Sequence, residues 1–140
     1  MKEEPKNLMP EGLSIAQDVV DFHKKYGIQY DGKQRMLPPQ LKYFRHQRSQ
    51  EEQREFYHAP DLANALDAIV DEIYVILGTA HLMGFTPEVI AEAWWRVHEA
   101  NMQKERSSPE NPGKYGAVGT DIVKPKDWKA PDLSDLCQNS

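Results

Sequence analysis

The chain has 140 residues, of which 39% are hydrophobic and 28% charged, as is typical of one soluble globular domain. The net charge of −5 argues against binding of nucleic acid polymers, because phosphate backbones usually meet a basic surface. No apolar run reaches the roughly 18 residues of a membrane span, the first residues lack the apolar segment of a signal peptide, and the single cysteine, Cys137, fits a reducing compartment. We therefore expect a cytoplasmic protein that binds no membrane.

The first predicted helix starts at Ser14, a residue type that caps helices, and runs to about Tyr26, with Gly27 as its stop. Apolar residues at three- to four-residue spacing mark its buried face. Residues 1–12 are polar, and we expect them to lie outside the regular structure.

The second predicted helix runs from Pro39 to about Tyr57, because proline suits the first turn of a helix. It is polar for most of its length, and the face that starts with apolar residues ends with charged ones. The charged residues on that face are Arg48, Glu52 and Glu55. A solvated helix end explains such a run by itself, but the acidic stripe on the next helix favours a functional site.

The third predicted helix is capped by Asp61, runs to about Met83 and stops at Gly84. One stripe along it carries polar and small residues, namely Asp67, Asp71, Tyr74, Gly78 and His81. The rest of its circumference is apolar, so the helix should be buried and its acidic stripe should lie at least partly inside. An unpaired buried carboxylate costs several kcal/mol even after relaxation, so two of them imply protonation or a bound cation.

The fourth predicted helix opens at Thr86-Pro87 with a capping residue and a first-turn proline, and runs to about Glu105. Its apolar face becomes polar at the far end, where Asn101 and Lys104 lie. A solvated C-terminal turn is the alternative explanation for these two residues, because lysine favours the negative end of the helix dipole.

Proline, glycine and serine dominate the chain after the fourth helix, which predicts a loop and an extended C-terminal tail over residues 106–140. Trp128 stands between lysines there as an apolar anchor. Short connections between helices two to four favour antiparallel neighbours. We therefore predict an all-α protein, a single domain over 1–140 whose helical part covers about 13–105. The third helix is too apolar for one chain to cover, so oligomerisation should complete the bundle.

The acidic residues of the second and third helices have spacings that suit a metal site. The pairs stand three and four residues apart, and they are Glu52 with Glu55 and Asp67 with Asp71. Two antiparallel helices can bring all four around one point, and oxygen ligands suit Mg²⁺ or Mn²⁺. Mg²⁺ shares its shell with substrate phosphates, to which Asn101 and Lys104 can offer an amide and a charge. This combination suggests hydrolysis of a phosphoanhydride.

These residues resemble the all-α NTP pyrophosphatase superfamily, the MazG-like nucleotide pyrophosphohydrolases, over about residues 40–133. The motif E-E-x-x-E spans 51–55, and D-A-x-x-D-x-x-Y-V-x-x-G-T-A spans 67–80. The motifs V-H-x-x-N-M-x-K and K-P-x-x-W-x-x-P-D follow at 97–104 and 124–132. One departure is that the commoner family form has Glu where this chain has alanine at position 68, so that Asp67 would have to serve instead.

The resemblance implies an enzyme that cleaves a nucleoside triphosphate between the α and β phosphates, giving a monophosphate and pyrophosphate. It implies Mg²⁺, with Mn²⁺ as a substitute, and a homodimer or homotetramer with sites near the subunit interface. The candidate catalytic residues are Glu51, Glu52, Glu55 and Asp71. The candidate metal ligands are Glu52, Glu55, Asp67 and Asp71, and the candidate substrate-binding residues are Arg48, Tyr74, Asn101, Lys104 and Lys124.

Two other functions fit parts of the sequence. A di-iron carboxylate bundle needs Glu-x-x-His on two helices, and this chain supplies it on the second helix, as Glu55 with His58, but not on the third or fourth. A non-catalytic helical dimer with regulatory or interaction duties would leave the acids solvated. Stabilisation by Mg²⁺ or Mn²⁺ would separate that function from the enzyme.

Overall fold

In a computed structural model the chain is mainly helical, which confirms the predicted all-α class. The structure describes residues 8–28, 31–116 and 118–138, with the backbone alone for 8–14. The elements of these ranges are α1 (Leu8–Lys25), α2 (Pro39–Tyr57), α3 (Leu62–Leu82), α4 (Pro87–Asn101), β1 (Glu105–Arg106), β2 (Ile122–Val123) and a 3-10 turn at Ser134–Leu136. The strands β1 and β2 pair antiparallel and form a sheet of two strands.

The bounds of α2 and α3 follow the local signals of the sequence. Pro39 is the first residue of α2, as predicted. The Asp61 side chain caps α3 by accepting a hydrogen bond from the Asn64 backbone N–H at 2.9 Å. Gly84 follows the helix with φ 91°, and a Cβ there would lie 2.3 Å from the backbone oxygen of Lys33. This position therefore requires glycine both for its conformation and for its clearance.

Helix α1 begins earlier than predicted, at Leu8, so Ser14 lies inside the helix and is not its cap. The helix can include Pro10 because this residue falls in the first turn, where a backbone N–H has no helical partner to lose. Of the residues expected to be irregular, 8–12 are helical, and 1–7 lie outside the described ranges.

Helix α4 ends at Asn101, about one turn before the predicted end, so Lys104 lies beyond the helix. The Thr86 cap is as predicted, with its hydroxyl oxygen accepting from the Val89 N–H at 3.2 Å. At the other end the Trp128 indole N–H donates to the carbonyl oxygen of Ala100 at 2.6 Å. A residue 28 positions away thus satisfies a terminal carbonyl, and the chain turns from the helix into β1.

Helices α2 and α3 pack as an antiparallel hairpin. Near the start of α2, Arg45 donates to the Val75 carbonyl at 2.6 Å and to the Thr79 hydroxyl at 2.9 Å, late in α3. Near the end of α2, Gln53 donates to Glu72 at 2.9 Å. Residue numbers rise along α2 as those of their α3 partners fall, which is the antiparallel arrangement expected from the short connection.

The remaining elements cover one side of this hairpin. Helix α1 packs against both α3 and α4. The C-terminal segment returns to α4, where Arg96 binds the Asp135 carboxylate through two nitrogens at 2.6 and 2.9 Å. Within the described ranges no single helix is long and apolar enough to cross a bilayer, and α3 and α4 meet that criterion only as a pair bent by 117°.

Small side chains dominate the core, and larger apolar ones lie at the surface. The buried apolar residues among those described are Ala16, Val19, Leu37, Ala68, Ala91, Ala100 and Val123. The apolar arc of α3 is exposed in the single chain, with Leu66 62%, Val70 51% and Ile76 52% accessible. The expectation that α3 is buried is therefore wrong for one chain taken alone.

Gly84→Ala should lower the free energy of unfolding far more than Gly27→Ala. Both glycines have positive φ, at 91° and 69°, but a Cβ at Gly27 meets no atom of the described part of the chain within 4 Å. We expect a loss of about 1–2 kcal/mol for Gly27→Ala from backbone strain alone. Overpacking against the Lys33 backbone should bring the loss for Gly84→Ala to about 3 kcal/mol or more. Equal losses in urea denaturation would contradict the close contact.

Candidate metal centre

Three carboxylates converge where α2 faces α3. One oxygen each from Glu52, Glu55 and Asp71 lies within 4.8 Å of the others. The two glutamates share a face of α2 because they stand three residues apart, and Asp71 meets them across the hairpin. Glu52 is 6% exposed, Asp71 is half-buried and Glu55 is exposed. The structure thus brings together three of the four predicted ligands.

Glu52 is the most constrained member of this group. Its Oε2 atom is buried and has no hydrogen-bond partner among the described residues. Burial raises the pKa of Glu52, and a hydrogen bond with Glu55 and the charges of Glu55, Asp71 and Glu51 raise it further. Buried polar oxygens are normally paired, so this one indicates a missing partner.

The pKa of Asp71 is raised as well. Burial is the largest cause, and the charges of Asp67 and Glu55 add to it, while the Arg48 guanidinium acts in the opposite direction. Ionisation of the buried Glu52 and of the half-buried Asp71 is therefore unfavourable when the two lie next to one another. A divalent cation would remove the repulsion and supply the partner that Glu52 lacks, and a set of three carboxylate oxygens suits Mg²⁺ or Mn²⁺.

Asp67 is not part of this group of three. It is exposed, while its neighbour Ala68 is 2% exposed, because consecutive helical residues point about 100° apart. Position 68, which faces inward, holds alanine and offers no ligand atom. The predicted role of Asp67 as a substitute ligand is therefore not supported by its position, and Asp67 instead acts on Asp71 through its charge.

The group contains no histidine within the described part of the chain. His58, the histidine needed for a di-iron site, is the C-terminal cap residue of α2 and is exposed. Its ring lies edge-on to that of Tyr57, with the centroids 5.0 Å apart. The donor set therefore favours a hard divalent cation over the di-iron alternative.

Glu51, predicted to be catalytic, lies at the rim of the acidic group. It is exposed and accepts a hydrogen bond from the Arg48 guanidinium at 3.1 Å. Because Arg48 stands on the same helix three residues earlier, this ion pair is local and fixes the direction of both side chains.

A cavity of about 260 Å³ adjoins the acids, between α1, α2 and α3. Glu52 and Asp71 line it together with Arg45, Arg48 and Tyr74. Two predicted substrate-binding residues, Arg48 and Tyr74, thus lie beside the predicted ligands. Arg45 lines the cavity although it lies outside the four sequence motifs.

The other predicted substrate-binding residues lie elsewhere on the chain. Lys104 directly precedes β1, and Lys124 directly follows β2. The ammonium nitrogen of each lies 5.0 Å from the centre of the Trp128 ring. Asn101 is exposed at the last position of α4. None of the three lines the cavity beside the acids. The structure therefore forms a basic cluster of Lys104 and Lys124 around Trp128, separate from the acidic group.

Two buried histidines lie in contact next to the cavity, and one of them, His23, lines it. The Nδ1 atoms of His23 and His81 lie 2.6 Å apart, although the residues are 58 positions apart in the chain. Burial lowers the pKa of both rings, and the charges of His81 and Arg45 further lower the pKa of His23. The pair is thus held neutral and joined by one hydrogen bond.

No protein-family profile and no curated protein sequence matches this chain. Its function must therefore be argued from the site.

Removing the charge of Glu52 should stabilise the metal-free protein at neutral pH. A folded-state pKa above the unfolded value means that the folded state binds more protons. The associated stability is fully present below the unfolded pKa of about 4.3 and is lost as the pH rises through the folded pKa. In chelator at pH 7.5, Glu52→Gln should therefore melt at a higher temperature than the wild type, and the difference should vanish near pH 4.

Glu51→Gln is the matched control, because Glu51 is exposed and paired with Arg48. It should melt at or slightly below the wild-type temperature at both pH values. A Glu52→Gln protein that is less stable than Glu51→Gln at pH 7.5 would show that Glu52 has a favourable partner in the absence of metal.

Proposed function

We propose that the protein is a metal-dependent nucleoside triphosphate pyrophosphohydrolase. It cleaves a (d)NTP between the α and β phosphates, giving a (d)NMP and pyrophosphate. The observation that carries this proposal is the buried, unpartnered Oε2 of Glu52 next to Glu55 and Asp71. The three acids lie around one point, and two of them have raised pKa values. Without a cation their charges destabilise the folded protein, and with one they can serve as ligands.

In this mechanism Glu52, Glu55 and Asp71 hold Mg²⁺, or Mn²⁺ in its place. When bound, such an ion neutralises phosphate charge and makes a coordinated water more acidic. The chain's own contribution is the fixed position of the three oxygens, which the packing of α2 on α3 provides. An all-oxygen donor set and a half-open cavity leave room for phosphate oxygens beside them.

Two further roles in the proposed mechanism belong to Arg48 and Glu51, at the edge of the acidic group. Arg48 lines the cavity and can donate to a phosphate oxygen, and it also donates a hydrogen bond to the Glu51 carboxylate. Glu51 is then the acceptor for the proton that the attacking water loses. The bond that forms joins the water oxygen to phosphorus, and the bond that breaks releases the pyrophosphate portion from the monophosphate.

The basic cluster of Lys104 and Lys124 supplies charge to the polyphosphate. Two ammonium groups against one Trp128 ring repel each other, and a phosphate between them would relieve this repulsion. Asn101, exposed at the end of α4, offers an amide to the same group. Since none of these residues lines the acidic cavity of its own chain, we propose that they serve the site of a second subunit.

A homodimer or homotetramer accounts for the distribution of apolar surface. The arc of α3 exposes several large aliphatic side chains in a row, among them Ile69, Ile73 and Ile76 at 43%, 48% and 52%. Covering such an arc with a second copy completes the antiparallel bundle and brings the extended tail of one subunit near another.

The exposed free thiol of Cys137 agrees with a cytoplasmic location.

The exposed apolar arc also favours a second candidate, a non-catalytic helical dimer that acts as a regulatory or interaction protein. This candidate shares the oligomer with the enzyme but requires no cation. The response to metal therefore separates the two functions.

Mg²⁺ or Mn²⁺ should raise the Tm of the wild-type protein, and Glu52→Gln with Asp71→Asn should abolish this rise. The reason is that the double variant removes both buried ligands, and the free carboxylate repulsion with them. Differential scanning fluorimetry with and without each ion measures the effect. A double variant that still responds like the wild type would remove these residues from the site.

Lys104→Ala provides the matched comparison for catalysis, because Lys104 is not a ligand. It should keep the metal-dependent rise in Tm. Its kcat/KM for triphosphates should fall by a factor that corresponds to about 1.5–3 kcal/mol of transition-state binding, as for a lost charged hydrogen bond. Release of pyrophosphate from each common NTP and dNTP is the assay. No pyrophosphate from any of them, in a protein that binds metal, would contradict the enzyme and leave the helical dimer.

Light scattering at micromolar concentration should give the mass of a dimer or tetramer. Ile73→Arg, in the middle of the apolar arc, should shift the protein toward monomer, because a buried unpaired charge opposes assembly. Glu110→Arg, in the exposed loop before β2, should leave the mass unchanged. A wild-type monomer that is folded and active would contradict the proposed assembly.

A further inference from the structure

Arg45 is a half-buried cation that has no acidic partner among the residues described by the structure. Its hydrogen bonds go to neutral groups on α3, the Val75 carbonyl at 2.6 Å and the Thr79 hydroxyl at 2.9 Å. No ion pair joins it to any side chain that the structure describes. A guanidinium carries five N–H donors, and these two bonds leave three. Arg45 also lines the cavity beside the acids, so its remaining donors are available to a ligand there.

Gly78 makes the position of this guanidinium possible. It lies inside α3, where glycine is less favourable than alanine by about 1 kcal/mol. A Cβ at Gly78 would lie 2.8 Å from an Arg45 terminal nitrogen and 3.4 Å from His23 Nε2. The helix therefore accepts an unfavourable residue at the point where the guanidinium passes against its backbone.

Flat side chains form the wall around this end of the cavity. The rings of Phe22 and Tyr74 meet edge to face at 85°, with centroids 5.3 Å apart, and both rings are partly exposed. His23 joins them and is held in place by His81. Aromatic surfaces beside a few fixed donors are the usual elements of a pocket for a planar heterocycle.

The two ends of the cavity offer different chemical groups to a ligand. Asp71 and Gly78 stand seven residues apart on α3, a rise of about 10 Å. Asp71 lies at one end of the α3 wall, Gly78 with the Arg45 guanidinium lies at the other, and Tyr74 lies between them. The volume of about 260 Å³ falls below the roughly 300–1,000 Å³ of pockets for whole ligands. Because this volume includes the end at the acids, the end at Arg45 has room for one part of a nucleotide only, and the phosphates would lie toward the acids.

We propose that Arg45 and the surrounding rings form a nucleobase subsite that selects bases carrying a keto oxygen. Guanidinium donors pair with the O6 of guanine or hypoxanthine and with the O4 of uracil or thymine. Adenine and cytosine present an amino group at the same place, which is a donor facing donors. This inference rests on the proposed function and deepens it, because it names the class of substrate.

The test uses nucleoside monophosphates, whose binding requires no catalysis. Calorimetric titration of the full chain with UMP, CMP, IMP and AMP, in Mg²⁺, compares pairs that differ at one keto or amino position. UMP and IMP should bind with a Kd about tenfold lower than CMP and AMP. Arg45→Met, which keeps an apolar stem without donors, should reduce both ratios to near one.

Gly78→Ala and Lys42→Met are the matched variants. The new Cβ of Gly78→Ala displaces the guanidinium without removing it, so the ratios should fall although the helix gains a better helix former. Lys42 is an exposed cation on the same helix that does not line this cavity, and its variant should keep the wild-type ratios. If Arg45→Met fails to fold, Gly78→Ala decides by itself.

Equal binding of IMP and AMP by the wild type, no measurable binding of either, or wild-type ratios in a folded Arg45→Met protein would overturn the subsite. Pyrophosphate release from ITP and ATP distinguishes this failure from that of the hydrolase. Equal turnover of both, with equal binding, leaves the hydrolase and removes the subsite. Keto-selective binding without any turnover supports the subsite and removes the hydrolase.

Discussion

The repulsion between carboxylates at the α2–α3 contact is the constraint on which the rest of this molecule depends. Glu52 and Asp71 meet there with raised pKa values, and neither gains a basic partner close by in the described chain except the weaker influence of Arg48. The hairpin nevertheless stays closed, because Arg45 holds its open end and Gln53 binds Glu72 beside the acids. The neutral and cationic hydrogen bonds of α2 thus fix the spacing of the acids before any ligand arrives, which is what preorganisation requires.

Local chemistry explains which parts of the fold were predictable. Pro39, Asp61 and Gly84 set the ends of α2 and α3 through interactions within a few residues, so their sequence signals were sufficient. At the end of α4 the Ala100 carbonyl accepts from the Gln103 N–H and also from the Trp128 indole, and the second of these contacts, 28 residues away, is not contained in any local pattern. Helix α1 begins before Ser14, at Leu8, and Pro10 is compatible with this start because it lies in the first turn. The predicted start rested on Ser14 as a capping residue.

The candidate site was predictable to a similar depth. Spacing alone placed Glu52 and Glu55 on one face and Asp71 opposite them. It did not decide between positions 67 and 68, since one residue is 100° of rotation and only the packed structure fixes which side faces inward. The contact between His23 and His81 was not predictable from local patterns, because the two residues lie 58 positions apart in the chain. The small core, rich in alanine, lets these helices approach closely while larger apolar side chains remain outside.

The contact between His23 and His81 also has a consequence for the cavity wall. Two neutral imidazoles joined through their Nδ1 atoms must adopt opposite tautomers, because only one of the two nitrogens can carry the shared hydrogen. If His23 provides that hydrogen, its Nε2 beside Gly78 bears a lone pair; if His81 provides it, the same Nε2 bears a hydrogen. The tautomers of the two rings therefore determine whether His23 Nε2 accepts or donates a hydrogen bond at the cavity, without movement of any heavier atom.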